Sequence, residues 1–109
     1  MQSPITPFQS RVYAKLREVP RGKVTTYRDL AYALGCGSPR AVGQALRRNP
    51  DAPHTPCHRV VASDGSIGGF SGMRSGPEIA KKVRRLAAEG VRVREGSVVD
   101  FDWRRFVWT

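Results

Sequence analysis

The chain has 109 residues, 39% of them hydrophobic and 26% charged, which allows one domain with a single modest core and leaves no room for two. Nineteen Lys and Arg stand against nine Asp and Glu, and the formal net charge of +10 points to a polyanionic partner, nucleic acid ahead of a merely solubilising surface. No apolar run approaches membrane-spanning length, and MQSPITPFQS lacks the charged-then-apolar pattern of a signal, so the expected location is cytoplasmic (nucleoid-associated) or nuclear, not secreted.

In chain order, PFQSRVYAKLREVPRGK spaces Phe8, Val12, Leu16 and Val19 along one helical face, with Tyr13 beside them. Pro7 suits the first turn, and Pro20 with Gly22 ends the pattern. TTYRDLAYALG reads as a second helix, capped by Thr25 or Thr26, with Leu30, Ala31 and Leu34 inward and Gly35 as terminator. SPRAVGQALRRN reads as a third, with Ser38 as cap, Pro39 at the first helical position and Val42, Ala45 and Leu46 inward. Gly43 in its interior costs helix propensity and so marks a close approach. Three short helices with tight turns, the third basic and rich in small residues, suggest a helix-turn-helix. HRVVAS and SIGGF flank an Asp-Gly turn, which predicts a β-hairpin, and a hairpin after a helix-turn-helix is a winged-helix arrangement.

GPEIAKKVRRLAAEG is the clearest helix, opening at Pro77 and Glu78 and ending before Gly90. Its expected inward set is Ile79, Val83, Leu86 and Ala87, with Lys81, Lys82, Arg84 and Arg85 outside or at the edge. VRVRE is too short to assign. Phe101, Trp103, Phe106 and Trp108 in the tail are expected to form a packed C-terminal flap rather than a base-stacking platform. No helix pairs a basic face with a large aromatic one, so a membrane surface is not an expected partner. The predicted fold is therefore mainly α. It is a winged-helix-like three-helix DNA-binding bundle with a small β-hairpin wing and a C-terminal helix, a single domain over residues 1–109 with no N-terminal companion.

The chemistry concentrates in HTPCHRVVASDGS, residues 54–66. Cationic neighbours raise a thiol's thiolate fraction, so Cys57 beside His58 and Arg59 is a candidate nucleophile. The alternative is a buried structural cysteine with a surface histidine next to it, because adjacent side chains on an extended segment point to opposite faces. Cys36 and Cys57, the only two cysteines, read as free thiols. His54, Cys57 and His58 cluster, but Cys36 is remote and the spacing fits no zinc pattern, so no metal and no cofactor are expected.

The order FQSRVYAKLREVPRGKVTTYRDLA, RAVGQALRRNP, PCHRVVASDGSIGGFSG and a helix ending in AAEG resembles the O6-alkylguanine-DNA alkyltransferases, from about Phe8 to Gly90. These are suicide repair proteins that move an alkyl group from guanine O6 onto a cysteine. The resemblance implies Cys57 as acceptor, His58 as the base acting through a water, and Glu89 as the carboxylate orienting the histidine. Arg59 would tie the site together, and Asn49 would support the cysteine from a buried turn. The family flips the damaged base out of the duplex. Arg40 resembles the side chain that fills the vacated place, with Ala41 and Gly43 pressed against the groove; a phosphate-binding arginine is the alternative. Tyr27 would help rotate the phosphate and bond the guanine, and Thr26 and Arg47 would lie on the same DNA-contacting surface. Leu46 would pack on the base, Val60 would offer its carbonyl, and Ser71 would lie in the loop closing the pocket.

Departures accompany the match. The family usually carries an extra N-terminal domain, whereas the matching region here begins almost at residue 8; MRSGPEIA looks like an insertion of a few residues, and Phe70 stands where a tyrosine is common. The length and aromatic tail resemble the alkyltransferase-like proteins, which bind alkylated DNA without an acceptor and hand it to excision repair; the presence of Cys57 favours the alkyltransferase. The implied partner is double-stranded DNA containing O6-alkylguanine, bound by a monomer, with excision-repair proteins as further partners under the sensor reading. A winged-helix transcription factor would explain the charge but leave PCHRV and Glu89 idle.

Overall fold

A reciprocal cap opens the fold. The Thr6 hydroxyl accepts from the Gln9 amide and the Gln9 side chain accepts from the Thr6 amide, each at 3.1 Å, so two donors without helical partners are satisfied before α1 (Pro7–Leu16) begins. The computed structural model describes residues 5–68 and 76–108. Thr26 caps α2 (Tyr27–Leu34) by accepting from the Asp29 amide at 3.0 Å, and Gly35 ends it in the left-handed region at φ 69°. Ser38 caps α3 (Pro39–Arg47) by accepting from the Ala41 amide at 3.1 Å.

Each helix turns its expected stripe inward. Val12, Tyr13, Leu16, Leu30, Ala31, Leu34, Val42, Ala45 and Leu46 form one core, which Val19 and Val60 complete. Two polar bonds lock the three helices: Tyr13 donates through its hydroxyl to the Ala45 carbonyl, and Arg11 through Nη2 to the Leu34 carbonyl, both at 2.7 Å. The mainly helical bundle predicted from periodicity is present.

The strands differ from expectation in one respect. The Asp64–Gly65 turn forms, with the Gly65 amide donating to the Ala62 carbonyl at 2.9 Å and the Ala62 amide to the Ser66 carbonyl at 3.0 Å. Yet the valines before it do not belong to a solvent-facing wing. β1 (Thr25–Thr26) and β2 (Val60–Val61) pair in parallel, Thr25 opposite Val60 and Thr26 opposite Val61. Val60 belongs to the three-helix core and Val61 to a second core with Val24, Leu86, Val91 and Val98. A strand buried on both faces is the environment of a parallel pair, whereas a wing needs one wet face. The small hairpin instead joins β3 (Val93–Arg94) to β4 (Ser97–Val98) through Glu95 and Gly96, both at positive φ (52° and 78°), as a two-residue primed turn requires.

α4 (Pro77–Ala88) also corrects its expected face. Leu86 is buried and Ile79 and Val83 are half-buried, but Ala87 is exposed, and the fully buried partner of Leu86 is Lys82. The surface that α4 covers presents two backbone carbonyls, and a hydrocarbon side chain would leave them dry and unpaired. Lys82 Nζ donates to the Val60 carbonyl at 2.7 Å and to the Ile67 carbonyl at 2.5 Å.

Beyond β4, a short helix α5 (Phe101–Arg104) leads back to the start of the bundle. Val24 donates its amide to the Arg104 carbonyl at 2.9 Å and accepts from the Phe106 amide at 2.7 Å, so the tail lies parallel along the segment preceding β1. Arg105 grips Asp29 with two bonds of 2.8 Å. Phe101 packs on the second core, while Phe106 and Trp108 meet edge to face at 5.1 Å on the first. Trp103 alone among the tail's four aromatic rings is exposed, at 65%, with Lys23 Nζ and the Arg104 guanidinium 4.0 and 4.7 Å from its ring centre. Among the described residues no helix is long and apolar enough to cross a membrane.

Burial lowers the Lys82 pKa from 10.5 to about 7, and the nearby Cys57 acts in the opposite sense. The folded protein therefore holds fewer protons than the unfolded chain between those values, and its stability should rise with pH there, by up to about 1.4 kcal/mol per pH unit from this group. Lys82→Met should flatten that rise in urea denaturation measured at pH 7, 8 and 9. The same pH slope in both proteins would refute the assignment.

Candidate active site

Cys57 does not lie on a pleated strand. It opens a 3₁₀ turn, Cys57–Arg59, which hands the chain to β2, so the opposition of adjacent side chains that extended geometry imposes does not apply. The turn is shaped by side chains from the end of α3. Asn49 donates through Nδ2 to the Thr55 carbonyl at 2.8 Å and accepts from the Asp51 amide at 3.0 Å, and the Cys57 amide meets the same Thr55 carbonyl at 2.9 Å. Thr55 is fully buried; its hydroxyl donates to Asp51 at 3.1 Å and accepts from Arg17 Nε at 3.0 Å. Cys57 itself is half-buried against the three-helix core, with a free thiol, as is Cys36.

His58 is 2% exposed, and its Nε2 lies 2.9 Å from Glu89 Oε2 at the end of α4. Arg59 holds the same carboxylate with both prongs, Nε to Oε1 and Nη2 to Oε2 at 2.9 Å, and donates through Nη1 to the Val19 carbonyl at 2.8 Å. Burial pushes the Glu89 pKa up, but the bonds from Arg59 and His58 outweigh it and hold the carboxyl below its usual range. Burial lowers the His58 pKa against the opposing pull of Glu89, which favours the neutral ring. A neutral imidazole that donates through Nε2 to a carboxylate carries its lone pair on Nδ1. That atom is buried and has no hydrogen-bond partner among the described residues.

Tyr27 begins α2 beside this turn, between two glycines. A methyl group placed on Gly43 of α3 would lie 4.0 Å from its ring, and one on Gly68 would lie 3.5 Å from its hydroxyl. Burial, then the charge of Cys57, raises the phenol's pKa, so it remains a proton donor. Leu46 is 8% exposed on the inner side of α3, and the Val60 carbonyl accepts from Lys82. On the outer side Arg40 and Arg47 are exposed, and Ala41 and Gly43 are half-buried. Thr26 is buried, with its hydroxyl spent on capping α2. Ser71 and Phe70 lie outside the described residues.

The structure thus brings Cys57, His58, Arg59, Glu89, Asn49 and Tyr27 around one turn, and places Arg40 and Arg47 on the helix face beyond it. Lys82, expected outside or at the edge of α4, joins them from beneath: Cys57 is close enough for its charge to raise the Lys82 pKa. A signal was present in the sequence, since Lys82 falls three residues after Ile79 and four before Leu86, within the apolar stripe. Among the described residues no group of three or more His, Cys, Asp or Glu could hold a metal ion.

A family model described as 6-O-methylguanine DNA methyltransferase, DNA binding domain, matches residues 7–91. A methylated-DNA–protein-cysteine methyltransferase of Thermococcus kodakarensis is 53% identical over 89 residues, which cover 81% of this chain and 47% of that protein. The crystal structure of O6-methylguanine-DNA methyltransferase from Pyrococcus kodakaraensis superposes with a TM-score of 0.69 at 52% identity, over 80% of this chain and 48% of that one. S. pombe Atl1, solved with damaged DNA containing O6-carboxymethylguanine, superposes with a TM-score of 0.78 at 29% identity, over 98% of this chain and 99% of that one. The chain thus spans about half the length of the methyltransferases it matches. With the match running through all three bundle helices, the PCHRV turn and α4, this chain belongs to the 6-O-methylguanine DNA methyltransferase family.

Proposed function

We propose that the chain repairs double-stranded DNA alkylated at guanine O6 by moving the alkyl group onto its own Cys57, once per molecule. The observation that carries this reading is the buried His58, tied through Nε2 to an ionised Glu89 and presenting Nδ1 as an acceptor one residue from a half-buried free thiol. A water between Nδ1 and Cys57 would carry the thiol proton to the imidazole, and Glu89 would stabilise the imidazolium formed. The thiolate sulfur then forms a bond to the alkyl carbon as that carbon's bond to O6 breaks. The electron pair stays on the guanine, which takes up a proton, with Tyr27 as a donor to the ring. The product is a thioether, which offers no leaving group to reverse the step.

A guanine inside a duplex cannot reach Cys57, so the base has to be extruded. Helix α3 suits that task, with small residues at 41 and 43 for close approach and the exposed Arg40 at its start. Leu46, the Val60 carbonyl and Ser71 would line the pocket that receives the base, and Arg47 would lie along the DNA, while the buried Thr26 serves from beneath as the cap of α2. No cofactor enters the scheme, and the working unit is a monomer.

Cys57→Ala should abolish methyl transfer from DNA and leave affinity for O6-methylguanine DNA within about twofold, since the thiol makes no phosphate contact. Mass spectrometry of the reacted wild type should find one methyl, on Cys57. Methyl on Cys36, or binding with no transfer at all, would overturn the acceptor assignment, and the latter would leave a damage sensor.

Arg40→Ala should slow single-turnover repair of duplex DNA at saturating protein at least about tenfold, yet leave reaction with a small O6-benzylguanine analogue nearly unchanged. Extrusion costs a few kcal/mol of unstacking and unpairing, and only the duplex substrate bears it. Equal losses on both substrates would assign Arg40 to the pocket or the fold.

Neutralising about four to six phosphates predicts that log affinity falls against log salt with a slope of about −4 to −5. Titrations from low to moderate salt on two unrelated duplex sequences should give the same slope. A slope near zero would detach the +10 charge from DNA.

A further inference from the structure

The last carbonyls of a helix have no partner within it, and at the end of α4 those carbonyls flank Glu89. One of them, and the carbonyl of Gly90 just beyond the helix, are taken by guanidinium groups from other parts of the chain. Arg21 donates through Nη2 to the Ala88 carbonyl at 2.6 Å, and Arg104 through Nη2 to the Gly90 carbonyl at 2.8 Å. Arg104 also donates through Nη1 to the Gly22 carbonyl at 3.0 Å, so one side chain bridges the loop after α1 to the loop after α4. The contact between those loops is close: a methyl group on Gly22 would lie 3.5 Å from the Glu89 carbonyl and 3.8 Å from Arg104 Nη1. The same loop after α1 supplies the Val19 carbonyl that holds Arg59, the bidentate partner of the Glu89 carboxylate. Arg104 is held in turn from both sides, its carbonyl by the Val24 amide and its neighbour Arg105 by Asp29.

We infer that Arg104 is a positioning residue for the Glu89–His58 pair, and that the tail beyond residues 7–91 of the family match is thereby part of the active-site framework. Glu89 is the residue at which α4 stops: its amide still donates to the Leu86 carbonyl at 3.0 Å, but its own carbonyl lies past the last turn, where no helical amide reaches it. A 2.9 Å bond to a buried imidazole needs that backbone held, and Arg104 holds it at Gly90 while anchoring it to Gly22. A guanidinium suits the task because its rigid fork holds its donors apart, Nη1 on Gly22 and Nη2 on Gly90, whereas an ammonium offers all its donors from a single atom. The effect on catalysis rests on the alkyl-transfer reading above, whereas the effect on the His58–Glu89 bond does not.

The test pairs Arg104→Ala and Arg104→Lys with Glu89→Gln, in the full chain. Single-turnover methyl transfer at saturating DNA should fall about tenfold in Arg104→Ala and about threefold in Arg104→Lys. In a Glu89→Gln background, Arg104→Ala should cost less than about twofold more, because its effect passes through the carboxylate already removed. By proton NMR, the His58 Nε2–H signal should exchange with water at least about tenfold faster in Arg104→Ala than in wild type. A wild type that transfers no methyl, with the NMR response still present, would remove the function and leave the positioning role. Unchanged exchange, or equal losses of rate in both backgrounds, would overturn the role of Arg104. Should Arg104→Ala fail to fold, the Arg104→Lys pair decides by the same comparison.

Discussion

Everything around Cys57 depends on one carboxylate. Glu89 sits where α4 stops, and it collects the His58 imidazole on one oxygen and both prongs of Arg59 across the two. An ionised carboxylate with 7% of its side chain exposed is costly unless it is paired and fully bonded, and here three donor atoms meet it. The pairing works in both directions. Arg59 keeps Glu89 ionised, Glu89 fixes which ring nitrogen of His58 carries the proton, and Nδ1 is left with its lone pair. Truncating any one of the three would leave a buried charge or donor exposed to the cost of desolvation.

That arrangement requires the PCHRV segment to sit between two packed layers, and the short parallel pair of strands puts it there. Val60 belongs to the core of the three helices and Val61 to the core beneath α4, so the turn just before them lies at the seam. The backbone carbonyls of this seam would be unpaired under an apolar helix face. Lys82 supplies the donors, at the cost of a strongly depressed pKa, and brings a titrating ammonium near the thiol. Packing and chemistry therefore share residues: the seam that closes the second core also sets the electrostatic surroundings of Cys57.

Much of this was legible in the sequence because local rules carried it. The capping residues Thr26 and Ser38, the terminator Gly35, and the inward stripes of the first three helices follow from hydrogen-bond valence and a 3.6-residue period, which act within a few residues of each other. The resemblance then put Cys57, His58 and Glu89 together although 31 residues separate the last two. Three features were misplaced or missed, each through a long-range cause. Val60 and Val61 read as a wing strand until burial on both faces showed otherwise. Lys82 read as solvated because a lysine is ordinarily exposed, although its position falls in the apolar stripe, and only the two facing carbonyls account for its burial. Arg104 drew no assignment, since nothing near it in sequence reveals that its partners are Gly22 and Gly90.

The sequence by itself determined the helices, their caps and the thiol in its cationic turn, because each is a property of residues close along the chain. The tertiary structure alone decided which nitrogen of His58 meets Glu89, which lysine is buried, and how the tail reaches the end of α4. Those outcomes turn on buried carbonyls and carboxylates finding donors across the fold, and desolvation makes such pairings compulsory only once the layers have closed.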